Sequence, residues 1–92
     1  MDAEMKKKID PRLARIEGQV KGIRNMVQSD RYCVDILLQL SAVVSALKKV
    51  EDLVMENHLN TCVSDALRQG DEEKRAAKVK EVMDVMASFR RQ

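Results

Sequence analysis

"SDRYCVDILLQLSAVVSALKKVEDLVMENHLNTCVSDALRQG", residues 29–70, decides the fold. It passes from a Ser-Asp pair to a glycine with no Gly or Pro in between. Ser or Asp can cap a helix start, and Gly commonly follows a helix end. Ile36, Leu40, Val43, Leu47, Val50 and Val54 recur at heptad-like spacing, and Leu37, Val44 and Leu53 widen the stripe. That periodicity belongs to a helix with one apolar seam. The stretch predicts a single long helix from residue 30 to residue 68, with Gly70 as its stop.

The flanks read the same way. Asp10-Pro11 is a helix start, because Asp can cap and Pro fits a first turn where its missing N–H is not needed. Leu13, Ile16, Val20, Ile23 and Val27 then form a stripe, which predicts a first helix over 11–28 and leaves residues 1–9 as a disordered arm. Gly18 and Gly22 lie inside it, each costing about 1 kcal/mol against Ala. Close approach of another helix or of a ligand would account for them. Asp71 caps a third helix that carries Val79, Val82, Met83 and Met86 and ends near Arg90. No β signal, repeat or low-complexity segment interrupts this pattern. The fold class is all-α: one domain over 1–92, a three-helix protomer. One short chain cannot cover the seam of so long a helix, and an antiparallel dimer of the long helices is the economical solution.

The chain has 92 residues, 35% of them charged, and only two of its aromatic positions are filled, by Tyr32 and Phe89. Its apolar content is aliphatic, as in packed long helices. No apolar run reaches membrane-spanning length, and the N-terminus lacks an apolar signal core. A cytoplasmic protein is expected, in which two cysteines are free, metal-bound or redox-active rather than structurally bridged. Net charge is +2, but residues 1–50 hold ten Lys/Arg against six Asp/Glu, and residues 51–92 hold seven against nine. An anionic partner should therefore dock near the N-terminal half.

The two cysteines and the one histidine are Cys33, His58 and Cys62. At about 100° per residue, His58 and Cys62 share a helix face, and Cys33 returns to within about 20° of it. Along the axis Cys33 lies about 37 Å from His58 at ~1.5 Å per residue, too far for one ion. A second, antiparallel copy centred near Leu47 removes the conflict. Cys33 of one protomer then meets His58 and Cys62 of the other, giving two equivalent sites. Two thiolates and one imidazole suit Cu(I), whereas Zn(II) would want a fourth ligand; Glu56 and Asn57 are off the stripe. The plain alternative is that each Cys is a small buried hydrophobe and the His is structural.

Arg12, Arg15 and Gln19 share one face of the first helix, opposite its apolar stripe, with Lys8 and Lys21 beside them. Lys48 and Lys49 lie near the dimer centre. Together they form a basic surface able to meet DNA phosphates, or simply a solvated face. No short helix-turn-helix signature is present.

"RLARIEGQVKGI" at 12–23, "YC" at 32–33 and "HLNTC" at 58–62 resemble the copper-sensitive operon repressor branch of the CsoR/RcnR family of bacterial transcriptional repressors. The resemblance covers nearly the whole chain. It implies an all-helical protomer, an antiparallel dimer and a homotetramer built as a dimer of dimers. It implies operator DNA as partner, Cu(I) as the bound cofactor, and no enzymatic activity. The copper branch uses Cys, His and Cys, here Cys33, His58 and Cys62. Nickel and cobalt sensors add histidines that this chain lacks. Persulfide sensors place their second Cys at the middle position, and formaldehyde sensors lack the last Cys. Tyr32 and Glu81 match the residues that surround the family's ligands, although the interval from Cys62 to Glu81 is slightly long. Arg15 and Lys49 match positions where the family uses basic residues for DNA. A thiol redox or persulfide-sensing repressor of the same fold, and a copper buffer that does not bind DNA, are the rival readings.

Overall fold

The computed structural model describes residues 1–60, 65, 68 and 71–90, with the backbone alone at 89 and 90. Among the described residues the helices with defined bounds are α1 (Ala3–Gln28), α2 (Cys33–His58) and α3 (Glu72–Arg90). The chain divides into two compact units, Met1–Met55 and Glu56–Gln92.

In the first unit, α1 does not begin at Asp10-Pro11. It starts eight residues earlier and runs through Pro11, so the expected arm is helical from Ala3. Asp2 is the cap, its Oδ1 accepting from the Met5 N–H at 2.8 Å. A proline inside a helix removes one backbone bond and crowds the preceding turn. The compensation lies in packing: Ile9 is 5% exposed and joins Ile16, Ile23, Val43 and Val50 in the core, with Met5 against them. Ile9, Ile16 and Ile23 are spaced by seven, and each such side chain contributes about 1.5–3 kcal/mol when fully buried.

The end of α1 also differs from expectation. Ser29-Asp30 does not open α2; Ser29 closes α1. Asp30 takes φ 55°, the left-handed region. The Asp30 N–H donates to the Val27 carbonyl at 3.2 Å, and the Arg31 N–H to that of Met26 at 3.0 Å. This paired pattern is a Schellman stop, with Asp in the place usually held by Gly. The chain then enters α2 at Cys33, where the Ile36 N–H donates to the Tyr32 carbonyl at 3.3 Å.

Each apolar stripe read as one seam is in fact two faces. Val43 and Val50, with Ile36, Ala46 and Leu53 beside them, pack on α1. Leu40, Leu47 and Val54 stay exposed, joined by Leu37 at 61% and Val44 at 51%. On α1, Leu13, Val20 and Val27 are likewise exposed. The α1–α2 hairpin uses one face of each helix and leaves a second apolar face on each. Gly18 and Gly22 face open space, since a Cβ at either meets nothing within 4 Å. Nothing among the described residues makes the close approach expected of them.

In the second unit, α2 reaches His58, and its backbone widens into a π-type turn at Leu59 and Asn60. The single helix expected over 30–68 is instead α2 from Cys33 to His58; residues 65 and 68 are helical too, while 61–64, 66, 67, 69 and Gly70 lie outside the described residues. Asp71 caps α3 as expected, its Oδ1 accepting from the Lys74 N–H at 2.8 Å and its carbonyl from Arg75 at 3.0 Å. Val79, Met83 and Met86 remain exposed on α3.

Candidate metal centre

α2 ends on His58, and Glu81 of α3 lies beside it. Nε2 of His58 lies 3.0 Å from Oε1 of Glu81. The distance is that of a hydrogen bond, but the alignment falls short of one, and the buried Nε2 has no aligned partner. The pair is a close electrostatic contact. The other carboxylate oxygen of Glu81 receives Lys78 Nζ at 3.3 Å, one helical turn away on α3. Glu81 is thus held between an imidazole and an ammonium. Lys78 was missed in the sequence; its signal was the i,i+3 spacing to Glu81.

With Nε2 turned to a carboxylate, the ring nitrogen left for coordination is Nδ1. Ligating histidines usually donate a hydrogen bond from the other ring nitrogen to a carboxylate or carbonyl; here the carboxylate is at that distance without the alignment. Of the other sequence-predicted members, Cys33 and Tyr32 belong to the first unit. Cys33 is the first residue of α2 in the first unit, a free and exposed thiol. Tyr32 precedes it and is exposed. Cys62 lies outside the described residues. Among the described residues no three of His, Cys, Asp and Glu come together as a metal cage. Asn57, one of the two off-stripe donors, is buried and engaged elsewhere.

On α1, Arg12 and Arg15 are exposed and Gln19 is half-buried, its Oε1 buried without a hydrogen-bond partner. The row was expected opposite the apolar stripe. It instead flanks the buried line of Ile9, Ile16 and Ile23, about 70° away around the helix, which is why Gln19 is partly covered. Lys48 and Lys49 of α2 are exposed. As consecutive residues they point about 100° apart and do not form one cluster.

Residues 5–88 match the profile of the metal-sensitive transcriptional repressors. The chain belongs to that family. This repressor is 51% identical over 84 residues to the copper-sensing transcriptional repressor CsoR of Bacillus subtilis, covering 91% of this chain and 80% of that one. Among solved structures, it is similar to the copper-sensing repressor CsoR with Cu(I) from Geobacillus thermodenitrificans: TM-score 0.88, 43% identity, 97% of this chain and 90% of that one. It is also similar to the nickel-responsive regulator InrS, at TM-score 0.72, 40% identity and coverage of 85% and 88%. The family makes the chain a repressor of transcription, with DNA as its partner, and not an enzyme. Likeness to both a copper and a nickel protein leaves the choice of metal to the ligating residues. No helix among the described residues is long and apolar enough to cross a membrane.

Proposed function

We propose that this chain is a copper(I)-responsive repressor that binds operator DNA in its apo form and releases it on binding Cu(I). The observation that carries the reading is the His58–Glu81 contact at 3.0 Å, which puts a carboxylate beside the ring nitrogen that ligating histidines turn away from the metal. Cys33 of one protomer, with His58 and Cys62 of its partner, would hold the ion. Two thiolates and one imidazole form a soft, low-coordinate donor set of the kind Cu(I) selects. The copper-sensing relatives support that choice, and the absence of any other histidine in the sequence argues against nickel.

Assembly is part of the reading. The exposed face formed by Leu37, Leu40, Val44, Leu47 and Val54 begins at Cys33, four residues before Leu37. A second antiparallel copy would cover that face and bring its own His58 and Cys62 to the cysteine. A tetramer of two such dimers follows from the family resemblance. Acting on bacterial operators, the protein would work in the cytoplasm.

His58 is the hinge of the mechanism. When Nδ1 is drawn into coordination, Nε2 moves with the ring and Glu81 beside it responds; the family resemblance adds Tyr32 to that response. Glu81 lies in the middle of α3, so the response passes from α2 to α3. Arg12, Arg15 and Gln19 on α1, with Lys48 and Lys49 on α2, are the groups we assign to DNA. Metal and DNA must weaken each other by the same factor, typically about 5–150-fold for such coupling.

Fluorescence anisotropy on a duplex from the promoter upstream of the chain's own gene tests this. Anaerobic Cu(I) should lower apo affinity, and X-ray absorption should report two sulfurs and one nitrogen. DNA affinity indifferent to Cu(I), or a tetrahedral Zn(II) preference, would contradict it. The exposed free thiol of Cys33 favours one second reading, a thiol redox sensor. That sensor would keep switching in His58→Ala, whereas the copper sensor would not.

A further inference from the structure

We infer that Lys8 is a phosphate contact of the DNA-binding face, the leading member of a four-residue row on α1. The inference rests on the DNA-binding reading proposed above. Lys8, Arg12, Arg15 and Gln19 are spaced by four, three and four residues. At about 100° per residue they stay within about 60° of one another around the helix.

That register exists only because α1 is helical through Pro11. On a loose arm, Lys8 would be an unaimed charge whose ordering would cost entropy on binding. Here its backbone is held on both sides. Asp2 caps the first turn, and Ile9, the next residue, is buried in the core. The neighbouring lysines are aimed elsewhere. Lys6 and Lys7 border an apolar groove with Ile9, Asp10, Pro11 and Leu13, about 160° and 100° around the helix from Lys8.

The row is also electrostatically available. Lys8, Arg12 and Arg15 are exposed, and none forms an ion pair among the described residues; Glu4, one turn before Lys8, makes none with it. From Lys8 to Gln19 the row is about 16 Å long at ~1.5 Å per residue, long enough to meet more than one phosphate of a duplex that carries one charge per strand for each ~3.4 Å of its axis. Adding Lys8 extends the cationic part from one turn of helix to two.

The test compares apo wild type, Lys8→Gln and Lys7→Gln on the upstream promoter duplex and on a scrambled duplex, across a series of salt concentrations. Gln and Lys have nearly equal helix propensity, so circular dichroism should not change. Lys8→Gln should weaken binding to both duplexes and flatten the plot of log affinity against log salt by about 0.9 for each Lys8 in contact. Lys7→Gln should leave that slope unchanged. An unchanged slope in Lys8→Gln, with wild type still binding, overturns the assignment. So does an equal loss in Lys7→Gln, which would reduce the effect to net charge. Failure of wild type to bind either duplex would remove the DNA-binding reading itself.

Discussion

His58 at the end of α2 and Glu81 in the middle of α3 face each other across 3.0 Å, and Lys78 holds the second oxygen of the same carboxylate at 3.3 Å. This contact joins the end of α2 to α3. In the proposed mechanism it is where metal occupancy would become movement.

Glu81→Gln should separate binding from signalling. The amide keeps the size but loses the charge that orients the imidazole. Removing such a partner typically costs about 10–100-fold in metal affinity. At saturating Cu(I) the variant should still hold DNA more tightly than wild type does, measured by anisotropy with and without metal. Wild-type release in Glu81→Gln would show that α3 does not carry the response.

Cys33→Ala, His58→Ala and Cys62→Ala should each remove or weaken Cu(I)-driven release while apo DNA affinity stays largely intact. Titration against a competing Cu(I) chelator, paired with gel shifts, measures both. Loss of apo DNA binding in all three variants would count against an allosteric site.

Leu47→Asp should break the assembly without unfolding the hairpin. Leu47 is exposed on the α2 face that α1 leaves open, whereas Val43, on the adjoining face, is 7% exposed. Sedimentation should show Leu47→Asp as smaller particles that keep helical circular dichroism. Val43→Asp should lose the helical signal instead. A fully assembled Leu47→Asp would mean that this face is not the interface.

Asp30→Val should destabilise the protein by about 1–2 kcal/mol, because a β-branched residue is forced into the left-handed conformation at the α1 stop. Asp30→Asn and Asp30→Gly should be tolerated. Urea unfolding of the three variants checks the order; equal midpoints would contradict the stop at this position.

The helical class, the cap at Asp71 and the end of α3 near Arg90 were legible because capping and periodicity are local. The start of α1 was not. Pro11 is the stronger local signal, and it was outweighed by burial of Ile9, a tertiary effect whose only trace was the Ile9–Ile16–Ile23 spacing. Ser29-Asp30 carried cap chemistry that serves the preceding helix rather than the following one. The seam was visible as apolar content but not as two faces, since one stripe of three-four spacing does not say which members meet α1. Among site residues, Glu81 came from family resemblance, and its place beside His58 needed the fold. The position of Cys33 relative to a partner's His58 and Cys62 belongs to assembly, which one chain's sequence encodes only as an uncovered face.

Subunit complementation tests the central claim most directly. Chains carrying Cys33→Ala are mixed with chains carrying His58→Ala and Cys62→Ala together, and dimers containing one of each are isolated. If each site draws its sulfur and imidazole from opposite subunits, the mixed dimer regains one complete site and binds one tight Cu(I), while neither parent binds tightly. Mixed dimers that form but bind no better than the parents would contradict a site shared between subunits.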